Sequence, residues 1–476
     1  MKIRVIGGGL AGPEAALTAA RLGCEVDLYE MRRVVDGKPL LTPAHQTTDF
    51  GELVCSNSLK SESEGTAPWL LKQEMRRAGS ALLRIADETA VPAGHALAVD
   101  RVEFSRRISE AIEAEPRIRV IREEVTRLDD ALLQDQKNTV VATGPLTSDA
   151  LSREIERLTG SDHLSFYDSI SPIVEADSID MNRVYFAARW DKGTADYVNC
   201  PMDRAEYGRF YDALVAAEPA ESKEWEKLDY FEGCLPIEVL ASRGRDTLRF
   251  GPMKPVGLRD PRTGKTPWAV VQLRKENLRA DSYNLVGFQN HLKYGEQARV
   301  LRLIPGLENA RFLRYGQIHR NTYICAPALL DECLRLSTSA CHPERRQPQA
   351  AAAEGPAFLP PGRTILFAGQ ICGVEGYTES IATGLLAGIY AASIAHGQEP
   401  VPIPRATALG SLVHYITHAD PKNFQPANIT FDLLEPLDEE TRRRVRDKKA
   451  RHRLQCERAL AAFDKWRADQ PAARSR

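Results

Sequence analysis

A short β-branched run, Lys2 to Ile6, leads directly into GGGLAGPEAAL, and no other stretch of the chain restricts its fold as strongly. Gly7, Gly9 and Gly12 match G-x-G-x-x-G at a predicted strand-to-helix turn. CEVDLYE follows as a second strand closing on Glu30, eighteen residues after Gly12. In that setting the three glycines serve the tight turn, the backbone approach to a pyrophosphate on the helix N-terminus, and the close packing of helix on strand. Glu30 stands where a carboxylate accepts hydrogen bonds from ribose hydroxyls. The competing reading, a glycine turn that only joins strand to helix, is the weaker one because the whole fingerprint context is present.

The remaining chain is long enough to build on this unit. Its 476 residues are 43% hydrophobic and 27% charged, with a formal charge of −2, which places it among ordinary globular proteins of two or three domains. No apolar run reaches the roughly 18 residues of a membrane span. The start MKIRVIGGG lacks the apolar core of a secretory signal, so a cytoplasmic protein is expected. Nine cysteines are scattered without a CxxC pair, which argues against a disulfide framework and a four-thiolate zinc site. No metal site is expected.

Fold-level texture predicts a discontinuous α/β architecture. A Rossmann-like dinucleotide-binding domain is expected over 1–184 and 315–410, an inserted mixed α/β domain over 185–314, and a basic helical segment over 411–476. RVEFSRRISEAIEAEP reads as an amphipathic helix, while RIRVIREEV and NTVVATGP read as strands extending the first sheet. Residues 37–68, rich in Gly, Pro, Ser and Thr, form a long excursion around GELVCSNSLKSES. In the insertion, DTLRFGPM, WAVVQLR and YNLVGF read as strands. TILFAGQICGVEGYTESIATGLLAGIYAASIA is a strand, a glycine turn and a long helix, and His342 to Arg363 is a Pro/Ala-rich surface loop. The run Arg442 to Arg453 carries eight Lys or Arg and one Asp; it is either a phosphate-contacting surface or a solvated helix face.

Flavin and nicotinamide cofactors both fit the N-terminal fingerprint. ATGP (with Ala142 and Gly144) and FAGQICGVEGY (with Gly369, Glu375, Gly376 and Tyr377) resemble the further glycine turns by which large flavoproteins close a sheet around FAD. A second G-x-G-x-x-G is absent, so NADPH or NADH would visit the flavin as a transient reductant. Two cysteines stand out by their surroundings: Cys55 in ELVCSNSLKS and Cys234 in FEGCLPIEVLASRG, with Lys60 and Arg243 as candidate cations that would favour a thiolate. The other seven read as buried hydrophobes.

Taken together, GGGLAGPEAA, YEMR, AHQTTDFGELVCSNSLKS, PAGHALAVDR, ATGPLTS, FEGCLPIEVLASRG, FGPMKPVGL and FAGQICGVEGYTES closely resemble the bacterial TrmFO family, folate- and FAD-dependent tRNA (uracil-5-)-methyltransferases related to MnmG (GidA). The likeness runs from Lys2 to the basic tail. It implies a glutathione-reductase-type FAD domain with an insertion. It also implies a reaction: 5,10-methylenetetrahydrofolate supplies the carbon, NAD(P)H the electrons, and the T-loop uridine of tRNA (uracil-54) becomes 5-methyluridine. By the same resemblance Cys234 attacks uracil C6 and Cys55 removes the C5 proton, with an exchange of the two roles left open.

Departures from the family pattern fall at His95, where a glycine is usual, at Cys372, where a Thr is usual, and at Asn290. Two other readings stay open at this point: wobble-uridine modification of the MnmG kind, and a flavoprotein oxidoreductase acting on a small molecule.

Overall fold

The computed structural model describes residues 1–128, 138–160, 164–169, 171–191, 194–220, 235–316, 318–337 and 363–470. Five parallel strands form the first sheet, in the spatial order Thr364–Phe367, Asn138–Val141, Lys2–Ile6, Glu25–Tyr29, Ile118–Ile121. Parallel strands need crossovers, and the first is the helix Ala11–Arg21, which returns the chain from Ile6 to Glu25 as the glycine motif requires. The central strands Lys2–Ile6 and Asn138–Val141 are buried along nearly their whole length, as expected where both faces of a parallel sheet are covered.

The helix Tyr377–Ala395 covers one face and crosses the first helix at very short range. A Cβ on Gly384 would lie 2.4 Å from the Ala11 carbonyl oxygen, and one on Gly388 would lie 2.7 Å from that of Ala15. The small-residue pattern GLLAG is therefore a packing surface. It lets the two helices approach backbone to backbone above the strand ends.

A second, six-stranded sheet is antiparallel in all its pairings, in the order Tyr185–Ala187, Tyr197–Met202, Ala269–Lys275, Ser282–Leu285, Ile173–Glu175, Phe312–Arg314. It carries its own apolar core, from Val174 to Ala310. Ile173–Glu175 thus belongs to the second sheet although it precedes the expected break at residue 185. The strands expected in WAVVQLR and YNLVGF are present. The one expected in DTLRFGPM is a helical turn, Thr247–Phe250, which buries Leu248 and leaves Phe250 79% exposed, with Met253 buried after it. So short an apolar run does not separate helix from strand by period.

The C-terminal region is likewise more integrated than its charge suggests. Leu412, Val413 and Ile416 on the helix Ala408–His418, and Ala459, Phe463 and Trp466 on the helix Lys448–Asp469, join the first core. Trp466 Nε1 donates to the Val401 carbonyl at 2.9 Å. Arg442, Arg443 and Arg444 remain exposed on a short helix, Glu439–Arg444. The Pro/Ala-rich segment 342–363 lies outside the described residues apart from Arg363. Among the described residues, no helix is long and apolar enough to cross a membrane.

Candidate active site

The carboxyl ends of the parallel strands open onto a cleft lined by the glycine motif, Glu30, Arg32, the 142–148 turn, Gly369, Gln370 and Tyr377. Its floor is made of backbone. Gly7 has φ +113° and a Cβ there would lie 2.4 Å from the Ala142 oxygen, while one on Gly12 would lie 1.8 Å from the Gly7 oxygen. Gly9 faces open space. The helix Ala11–Arg21 begins at Leu10 with no side-chain cap. Its first-turn amides and its positive dipole end are thus turned toward the cleft, which suits a pyrophosphate.

Glu30 is buried at the end of its strand and organises the same floor. Its Oε2 accepts the Gly8 N–H at 2.6 Å and its Oε1 accepts from Arg32, through the backbone N–H at 2.8 Å and Nε at 3.0 Å. Arg32, itself 2% exposed, also donates to the Gly8 and Thr47 carbonyls. With Arg32 Nη2 also donating to Oε2 at 3.4 Å, the protein meets all of the roughly four acceptor sites of this carboxylate, and a ribose hydroxyl would take the place of that longest contact. Cradle, uncapped helix end and buried carboxylate together fit a dinucleotide such as FAD. Arg32, in YEMR, is a site residue that the sequence reading misses; its signal is a basic residue two places beyond the ribose-binding acid.

Of the other expected cofactor residues, Ala142, Gly144, Gly369 and Tyr377 line the cleft, whereas Gly12, Glu375 and Gly376 sit behind it. Glu375 Oε2 accepts from Gln370 Nε2 at 2.6 Å and so orients a lining residue. Gly376, at φ +114°, begins the helix Tyr377–Ala395; a Cβ there would meet Lys60 Nζ and Glu379 Oε2. Cys372 is fully buried, donates to the Gly369 carbonyl at 3.0 Å and has its thiol pushed up to about 12 by burial, so it is a packing residue behind the cleft. Asn290 is buried in a turn, bonded to Phe288 and Leu292. His95 is exposed in a loop that reaches the second sheet, where the Gly94 N–H donates to Asp196 Oδ2 at 3.0 Å.

Cys55 lies beside this cleft, tied to it by one ring. Its backbone N–H donates to the Tyr377 hydroxyl at 2.7 Å, and Tyr377 lines the cleft. Lys60, the cation expected beside Cys55, is bound elsewhere: its Nζ donates to Glu379 Oε1 at 2.6 Å and to Asn428 Oδ1 at 2.5 Å. The cations that reach Cys55 electrostatically are Arg101 and Arg314. Arg101 donates to the Leu53 and Cys55 carbonyls and pairs with Glu276 Oε2. Burial and the neighbouring Arg101 charge press the Arg314 guanidinium below its usual value. Two crowded guanidinium groups beside a thiol favour an anion there. Both come from distant parts of the chain, so local sequence does not reveal them.

Cys234 lies outside the described residues, as does Cys341. Its motif is represented by Leu235, Pro236 and the helix Ile237–Ser242, which Arg243 ends. Cys24, Cys200, Cys333 and Cys456 are buried. Burial pushes the Cys333 and Cys456 thiols up to about 12. Cys325 is partly exposed. Its thiol donates to the Pro421 carbonyl at 3.7 Å.

The sequence matches the family described as Glucose inhibited division protein A over residues 2–340 and 362–399. It is 67% identical to the methylenetetrahydrofolate--tRNA-(uracil-5-)-methyltransferase TrmFO of Koribacter versatilis (strain Ellin345) over 470 residues, 98% of each chain. It is 50% identical to the protein of the same name from Bacillus cytotoxicus over 464 residues, again 98% of each chain. Among solved structures it is similar in fold to Aquifex aeolicus GidA in the form II crystal, with a TM-score of 0.66 at 17% identity, covering 99% of this chain and 74% of that one. The glycine cradle, the parallel sheet and these full-length similarities agree: the chain belongs to the TrmFO group of the Glucose inhibited division protein A family.

Proposed function

We propose that this protein methylates C5 of a uridine in tRNA, taking the carbon from 5,10-methylenetetrahydrofolate, and that the uridine is the T-loop position, with NADPH or NADH as reductant. The observation that carries the reading is Tyr377: its ring lines the dinucleotide cleft and its hydroxyl holds the Cys55 loop. A loop bearing the thiol that serves as base is thereby fastened to the edge of a cofactor site.

Gly7, Gly9, Glu30, Ala142, Gly144 and Gly369 would hold FAD, with Gly12, Glu375 and Gly376 shaping the surfaces behind it. When bound, FAD supplies redox capacity and a carrier for the one-carbon unit. The protein's own work is on the uracil. C5 is a poor nucleophile until a thiolate adds at C6 and makes an enolate, so a cysteine must reach a base taken out of its stack. Cys234 takes that role, and Cys55 the removal of the C5 proton afterwards. Arg101 and Arg314 keep the Cys55 sulfur in an environment that favours its anionic form.

The exposed arginines 442–444 supply cations for the phosphate backbone, and tRNA as substrate fits a cytoplasmic protein. The test is methylation of an unmodified tRNA transcript by the purified protein, mapped to single bases. Folate- and NAD(P)H-dependent 5-methyluridine in the T-loop is expected. A wobble-position product, or none from flavin-loaded protein, would overturn the reading.

A further inference from the structure

We propose a second site, unrelated to the methyl-transfer machinery, that binds one zinc-type divalent ion between Glu332, His414 and His418. The donor atoms of these three side chains all lie within 4.8 Å of one another. None of them lines the cofactor cleft. A tetrahedral ion with bonds of about 2.0–2.1 Å wants donors roughly 3.4 Å apart. His418 Nε2 and Glu332 Oε1 already stand at 3.6 Å.

The hydrogen bonds around His418 argue for the ion. Thr417 donates its hydroxyl proton to the Val413 carbonyl at 2.8 Å, so its oxygen accepts from His418 Nδ1 at 2.9 Å. The proton of the neutral ring is then on Nδ1, and the Nε2 lone pair points at a carboxylate oxygen. Two acceptors that close need something positive between them, a proton or a metal ion. Metal-bound histidines have this arrangement, one nitrogen free for the metal and the other donating to an oxygen.

The framework is preorganised as well. His414 and His418 are one turn apart on the helix Ala408–His418, and their rings, stacked at 4.3 Å without the ion, would turn about their side-chain bonds to aim one nitrogen each at it. That helix is anchored at its start by Thr407, which accepts the Gly410 N–H, and by Glu74, which accepts the Ala408 and Leu409 N–H groups at 2.7 and 2.9 Å. Its carbonyl end, where the ion would sit, favours a cation. Glu332 is presented by a separate turn, so a bound ion would fasten that turn to the end of the helix. Two imidazoles and a carboxylate, with a fourth position for water, suit zinc over calcium or magnesium.

The test uses the untagged full-length protein stripped with a chelator, titrated with zinc chloride by calorimetry and with cobalt chloride by visible absorption. One ion per chain is expected, with the intense absorption of low-coordinate cobalt, and zinc should raise the melting temperature. His418→Ala and Glu332→Gln, both at partly exposed positions, should lose the site while keeping bound flavin. Thr417→Val should weaken binding by roughly tenfold through loss of the supporting hydrogen bond. Stoichiometry unchanged in both His418→Ala and Glu332→Gln would place the ion elsewhere and overturn the proposal. Absence of zinc binding by the unaltered protein would also overturn it, leaving an imidazolium–carboxylate pair.

Discussion

The cleft and the thiol loop beside it touch through one tyrosine, yet they are built in opposite ways. The floor of the cleft is main chain, shaped by missing side chains at Gly7 and Gly9, by the close helix packing that Gly12 allows behind it, and by the free end of one helix. The loop around Cys55 has little regular structure and is held from outside by side chains. Asn57 Nδ2 donates to the Val99 and Lys275 carbonyls, Arg101 donates to the Leu53 and Cys55 carbonyls, and Lys60 is paired with Glu379. One region therefore fails when an atom is added, and the other when an atom is removed. The first keeps a rigid cofactor in place, and the second can position chemistry only while its distant supports are intact.

This contrast can be broken by experiment, and the largest effect is expected on the chemistry. Cys234→Ala should abolish the covalent adduct with a 5-fluorouridine-containing tRNA minihelix and lower methylation by about 10²–10⁴-fold, at unchanged flavin content. An adduct that survived in Cys234→Ala but vanished in Cys55→Ala would exchange the two thiol roles. Next comes Gly12→Ala, whose methyl group meets the Gly7 carbonyl. Overpacking of about 1–3 kcal/mol should appear as loss of the yellow cofactor on purification, and full retention would show that the cleft yields.

A smaller change is expected from Asn57→Ala. It leaves two carbonyls short of a donor, at about 1–2 kcal/mol, and should slow methylation while flavin stays bound. If flavin were lost instead, the two regions would not be separable. The smallest effect belongs to Asp27, remote from the thiol loop. Burial pushes its carboxyl up, but hydrogen bonds from Arg119 and Lys2 outweigh this and hold it below the usual value. A depressed folded-state value contributes stability above the unfolded value, lost as pH falls through the folded one. Asp27→Asn should therefore cost about 1 kcal/mol near neutral pH, since Arg119 is largely solvated, and flatten the acid side of the melting curve. Flavin content and methylation should not move.

The same contrast explains what can be read from the chain. The first strand, helix and second strand, with Glu30 at their end, are legible because turn, dipole and packing are encoded within thirty residues. Strands such as WAVVQLR announce themselves by their β-branched residues. Arg101, Arg314 and the Lys60–Glu379 pair are not legible, because their meaning depends on residues far away in sequence. Thr247–Phe250 passes for a strand because four residues carry no period, and the C-terminal helix passes for a solvated tail because its basic run hides Ala459, Phe463 and Trp466. Glu332 shows the same limit: nothing near it in sequence connects it to His414 and His418.

Under the proposed function, Cys55 does chemistry on the uracil while the glycine cleft independently holds the cofactor. That division is tested most directly by purifying Cys55→Ala and measuring flavin per chain and T-loop 5-methyluridine in one preparation. Flavin bound as in the unaltered protein and methylation reduced to background are expected. Methylation at the unaltered rate by flavin-loaded Cys55→Ala would contradict that division.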